Sequence, residues 1–257
     1  MRVILALVLA ITAVVAKPRA SSRILQGEPT DIQHYPELVS VLFDNDVGIF
    51  VHIGGGVILN NRAILSAAHL FYRRPIVEDF RYRAGSTFNN KGGEFFDTLR
   101  IIIHPEFVMW PADNDLAIIH ICKRRIEFNS VMQPAVIAGP KYPVPDNEEV
   151  WAAGWGYIDP SGPGSPRLRH VQMLTINREE CMKRYNKIGY KVTENMICSG
   201  WLDVGGRDQC DEDNGGPLYH KKTVIGIFTS FRSCGNEFYP GVNMRVGSYS
   251  SWIIDNT

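Results

Sequence analysis

Short apolar runs punctuated by turn residues dominate the chain. Val39 to Phe43, Gly56 to Leu59, Arg100 to Ile103, Leu116 to Ile121, Val150 to Ala153, Val171 to Ile176 and Val224 to Phe228 are each rich in β-branched or apolar residues and bounded by Gly, Pro, Asn or Asp. That spacing, with few stretches of 3.6-residue period, predicts an all-β barrel or sandwich. The C-terminus differs: Tyr249, Trp252 and Ile253 stand at i, i+3, i+4 and predict one short amphipathic helix docked on the body. The segment from Pro160 to Pro166 is too rich in Pro, Gly and Ser for regular structure and reads as a surface loop.

The N-terminus changes the compartment. After Arg2, the stretch from Val3 to Ala16 is apolar except for Thr12. It falls short of the roughly 20 residues that cross a bilayer. With small residues Val14 and Ala16 ahead of Lys17, residues 1–16 read as a secretory signal peptide, against the competing reading of a short membrane helix. No other long apolar run follows, so a soluble, secreted, monomeric protein without a membrane partner is expected.

Lys plus Arg and Asp plus Glu each number 27, a net charge of zero, which argues against a nucleic-acid partner. The basic run Lys123-Arg124-Arg125 reads as a solvated turn. The seven histidines form no H-x-x-x-H pair or Cys/His cluster of zinc spacing, so neither a metal nor a cofactor is expected. The five cysteines leave one over in an oxidising compartment.

Candidate chemistry lies in four segments: Arg23-Ile24, Leu65-Ser66-Ala67-Ala68-His69, Asp113-Asn114-Asp115-Leu116-Ala117, and C-D-E-D-N-G-G-P over 210–217. In that order they resemble the activation, histidine, aspartate and nucleophile segments of trypsin-like serine proteases. The resemblance runs from Ile24 to Thr257. It is close to insect digestive trypsins at V-W-A-A-G-W-G (150–156), L-R-H-V-Q (168–172) and I-C-S-G-W-L-D-V-G-G-R-D-Q-C (197–210).

The resemblance implies two packed six-stranded antiparallel β-barrels, about 24–130 and 131–245, with a C-terminal helix over about 246–257. It pairs Cys181 with Cys198 and Cys210 with Cys234, leaving Cys122 as a buried thiol or, alternatively, a link to a partner chain. His69 would be the base and Asp115 its orienting carboxylate. Glu212 and Asn214 would supply the oxyanion N–H groups. Asp208 would bind a substrate Lys or Arg in a pocket with Gly241 and a wall strand Thr229-Ser230-Phe231. A one-residue shift of that strand would bring Arg232 to the wall, where it could pair with Asp208. Residues 17–23 would be a propeptide cut after Arg23 by a trypsin-like protease, and Asp213 would receive the freed Ile24 amine.

Three departures stand out. Asn214 occupies the place of the nucleophilic serine, and a carboxamide nitrogen delocalised into its own carbonyl cannot replace a hydroxyl in acyl transfer. Glu212 replaces a glycine, which disfavours any φ > 0 and brings a carboxylate near the oxyanion site. Gly54 and Leu70 replace a cysteine pair beside His69, which should loosen that segment. The resulting expectation is a catalytically inactive homologue that works by binding a protease, an inhibitor, a zymogen or a surface ligand. The rival is an active digestive endopeptidase cleaving after Lys or Arg.

Overall fold

The computed structural model describes residues 27–257 except 46–47, 75, 159–161 and 231, and Ser230 through its backbone only. The expected signal peptide over 1–16 and propeptide over 17–23, with Ile24 and Phe231, therefore lie outside the described residues.

Alternation of buried faces builds the first barrel from β1 (Leu38–Asp44), β2 (Phe50–Ile58), β3 (Ala63–Ser66), β4 (Phe80–Ala84), β5 (Glu94–Ile103) and β6 (Ala117–Ile121). The order β1-β2-β3-β6-β5-β4 closes on itself. The second barrel comprises β7 (Glu149–Gly154), β8 (Arg169–Ile176), β9 (Met196–Gly200), β10 (Pro217–His220), β11 (Thr223–Ser230) and β12 (Gly241–Arg245). Its order, β7-β8-β9-β12-β11-β10, repeats that of the first and closes through the β10–β7 pairing. The chain thus has the all-β architecture of two six-stranded antiparallel barrels. Its C-terminus ends in a short helix, α2 (Ser250–Asp255), following a single 3₁₀ turn.

Two-residue periodicity explains why Leu116 to Ile121 is apolar without interruption. Ala117, Ile119 and Ile121 fill the first barrel with Val39, Val41, Phe80 and Phe96. Leu116 and Ile118 face the other way, into the layer between the barrels with Leu38, Trp155, Tyr219 and Ile227. Tyr249 and Ile253 seat the C-terminal helix on that same layer, with Trp252 packed at its edge. A separate cluster of Val150, Val171, Met173, Leu218 and Ile225 fills the second barrel.

One helix has no counterpart in the apolar pattern: α1 (Arg178–Asn186). It starts at Asn177, whose side chain accepts from the N–H groups of Glu179 and Glu180. Cys181 bonds it to Cys198 on β9, and Arg184 reaches Asp203 at 3.1 Å. Cys210 and Cys234 form the second disulfide. Cys122 is half-buried rather than buried, its thiol donating to the Thr98 carbonyl at 3.4 Å.

Candidate active site

Strand pairing, not sequence proximity, assembles the site. Ser66 at the end of β3 lies opposite Ala117 at the start of β6, so His69 and Asp115 leave the barrel at the same end. His69 sits in a 3₁₀ turn, Ala68–Leu70. Its Nδ1 is 2.6 Å from Asp115 Oδ2, and its backbone N–H donates to Oδ1 at 2.7 Å. Two contacts from one carboxylate fix both the ring and the turn. Asp115 is fully buried while the His69 side chain keeps 21% of its surface. Nδ1 therefore faces the carboxylate, which leaves Nε2 for the cleft.

Thr229, expected above in the pocket wall, also joins this pair. Its hydroxyl donates to Asp115 Oδ2, a third donor on one buried carboxylate. Replacing Thr229 by Val keeps the shape and removes a hydrogen bond to a charged acceptor. A loss of about 2 kcal/mol in urea denaturation is expected.

Asn214 comes from the turn before β10. Its carbonyl accepts from Gly55 N–H on β2 at 2.8 Å, which joins the two barrels at the cleft. Glycine at 54 permits that approach, because a Cβ there would lie 2.5 Å from Asn214 O. Leu70 occupies the same space: its Cδ1 would be 2.7 Å from that Cβ. The expected loosening around His69 is thus countered by a buried leucine in the place of the absent bridge.

Glu212 adopts φ +67, against the expectation from its side chain. A left-handed non-glycine residue costs on the order of 1–3 kcal/mol and persists only where neighbours hold it. Here His52 holds it: Nε2 donates to Glu212 O at 3.0 Å while Nδ1 accepts from the Ser40 hydroxyl at 2.7 Å. Burial pushes His52 down to about 4, consistent with a neutral ring. The Glu212 carboxyl packs against the backbone of Gly164. Burial, then Asp213 and Asp211, raise it to about 7, which weakens the charge expected beside the oxyanion site. The N–H groups of Glu212 and Asn214 meet no backbone carbonyl among the described residues, so both can serve a developing oxyanion.

Asp208 is 2% exposed, and burial holds its carboxyl well above the usual carboxylate range. A Cβ on Gly241 would collide with its Oδ1, so glycine makes the space that the carboxylate fills. Arg232 is exposed, and among the described residues no ion pair joins it to Asp208. Asp213 accepts from Gly156 N–H at 2.8 Å and from Cys210 N–H at 3.1 Å. Among the described residues the one group with metal-like spacing is Cys210, Asp211 and Cys234, and its thiols are spent in the disulfide.

Sequence reasoning missed the Thr229 contact, the Ser40–His52–Glu212 chain and the filling role of Leu70. A polar Ser40 and His52 within otherwise apolar strands was the available signal.

A family profile described as Trypsin matches residues 24–253. The chain is 48% identical over 258 residues to "Trypsin, alkaline B" of Manduca sexta, covering all of both chains. It is 45% identical to "Trypsin CFT-1" of Choristoneura fumiferana, again over the full length of both. It is also 45% identical to "Achelase-1" of Lonomia achelous over 91% of this chain and all of the relative. These full-length matches overturn the expectation of an inactive, binding-only homologue and favour the endopeptidase. That expectation let the departures at Asn214, Glu212 and the Gly54 and Leu70 pair outweigh the whole scaffold. Asn214 excludes an acyl-enzyme, but hydrolysis also depends on the base, the oxyanion donors and the specificity carboxylate.

Proposed function

Because the chain belongs to the trypsin family, we propose that it is a secreted endopeptidase hydrolysing peptide bonds after Lys or Arg, with water as the direct nucleophile. The observation that carries this is the His69–Asp115 geometry at 2.6 Å, which presents an oriented base to the cleft. In this scheme water attacks the peptide carbonyl carbon while His69 Nε2 takes its proton. The oxyanion rests on the N–H groups of Glu212 and Asn214. Collapse breaks the C–N bond, and His69 returns the proton to the leaving amine. Binding and oxyanion stabilisation alone leave roughly 10³–10⁴-fold acceleration over water in a related triad enzyme that has lost a member. Turnover is therefore slow.

Asp208 supports the Lys/Arg preference. A buried carboxyl held above its usual range is restored to the ionised form when a substrate cation pairs with it. Family membership fits protease- and zymogen-type interactions and a secreted location. The finer reading is synthesis with a signal peptide over 1–16 and a propeptide over 17–23, cleavage at Arg23 by a trypsin-like protease, and release into the gut lumen.

The test is amidase activity on Arg- and Lys-anilide peptides after cleavage at Arg23. Turnover above blank that disappears in His69→Ala is expected. A rate equal to blank, or one that survives His69→Ala, overturns the reading.

A further inference from the structure

Beside the core of the second barrel lies a cavity of about 180 Å³, bounded by Ala138, Gly139, Tyr142, Ile225, Arg245 and Ser248 among others. It shares no lining residue with the catalytic site. Its floor is apolar, because Ala138 and Ile225 belong to the buried cluster that fills this barrel. Strand alternation sends one charge to the same side. Along β12, Val242 and Met244 enter the layer between the barrels, so Asn243 and Arg245 point the other way. Arg245 pairs across the strands with Gly226, which sets no side chain opposite it.

Arg245 is half-buried, and among the described residues neither a hydrogen bond nor an ion pair reaches its guanidinium. Burial, and then the like charge of Arg178, push the group down from its ordinary pKa, with Asp146 acting the other way. A charge drawn out of water without a partner is destabilising, and an anion in the cavity would relieve it. The space itself is open and firmly walled. A Cβ built on Gly139 would meet nothing within 4 Å, and the Tyr142 hydroxyl is tied to His220 Nδ1 at 3.1 Å.

The volume is below the roughly 300–1,000 Å³ of sites for drug-sized ligands, so the occupant is small. One cation above an apolar floor selects a single negative head on a short hydrocarbon chain. We propose that this cavity binds a short-chain aliphatic carboxylate. The carboxylate accepts from the Arg245 guanidinium, whose planar fork matches its two oxygens, and from the exposed Ser248 hydroxyl at the rim. The chain lies against Ala138 and Ile225.

The test is calorimetric titration of sodium hexanoate into the full chain, with hexanol and inorganic phosphate as controls. Saturable binding at one site per chain is expected. Arg245→Met should weaken it by about tenfold or more, because a hydrogen bond to a charged group is lost. Gly139→Leu places a side chain in the cavity and should abolish binding in a chain that still unfolds cooperatively. Should Arg245→Met not fold, Gly139→Leu and the hexanol control carry the test. Hexanol binding as tightly as hexanoate would show that the charge is idle, and phosphate binding as tightly would show that the apolar floor is. Either result overturns the proposal, as does hexanoate binding that survives Gly139→Leu, or no saturable binding at all.

Discussion

Asn214→Ser is expected to raise kcat/KM on Lys- and Arg-anilides by on the order of 10⁴-fold after cleavage at Arg23. Everything a serine needs is in place except the hydroxyl. His69 has its Nδ1 on a buried Asp115 that is itself steadied by Thr229, so Nε2 faces the cleft as the acceptor. The turn bearing position 214 is fixed by the Gly55 N–H, and the N–H of residue 214 does not depend on its side chain. Loss of the nucleophile costs roughly 10⁶ in turnover in another triad protease. The full factor is not expected here, because Glu212 still imposes a side chain at φ +67 on the oxyanion turn. Adding Glu212→Gly should recover a further part of it, up to the 10²–10³ that one oxyanion donor is worth. The mechanism must also change: Asn214→Ser should show a burst of acyl-enzyme on an ester substrate, and the unaltered chain should not. A serine variant no faster than the parent would mean that His69 is not the working base.

How far the sequence alone leads depends on how local the determinant is. The strands were legible because their apolar runs are buried on one or both faces, as Leu116 to Ile121 shows. Helix α1 was not legible, because R-E-E-C-M-K-R-Y-N carries no apolar stripe. Only Cys181, Arg184 and Tyr185 are buried on it, and it is held by a cap and a disulfide. His69 and Asp115 were recognisable by resemblance, yet the β3–β6 pairing is what brings residues 46 apart together. Thr229 could not be assigned from sequence, since either register of its strand satisfies the same letters. Its hydroxyl on Asp115 decides its place in three dimensions. Glu212 was misjudged for a different reason: intrinsic φ preference was weighed without the His52 contact that overrides it.

Burial of His52 and Glu212 sets an opposed pair of titrations on the two sides of their contact, and separating them should expose a hidden acid sensitivity. Burial holds His52 down at about 4, below its ordinary 6.5. Between those values the unfolded chain binds a proton that the folded chain refuses. This contribution is therefore complete above about 6.5 and is lost as pH falls through 4, up to about 3 kcal/mol in all. Glu212 runs the other way, raised from 4.5 to about 7. The folded chain keeps a proton that the unfolded chain has released, so its contribution is present below about 4.5 and is lost as pH rises to 7. The carboxyl is half-exposed, and solvent screening reduces its share to about 1 kcal/mol. Over pH 4.5 to 6.5 the two slopes oppose each other. Glu212→Gln removes one of them, so on acidification from pH 6.5 to 4.5 the variant should lose about 1 kcal/mol more than the parent in urea denaturation. Equal losses would show that Glu212 does not carry its proton in the folded state. Since His52 holds the turn that presents the oxyanion N–H groups, the variant's activity should fall over the same acid range in which its stability is lost.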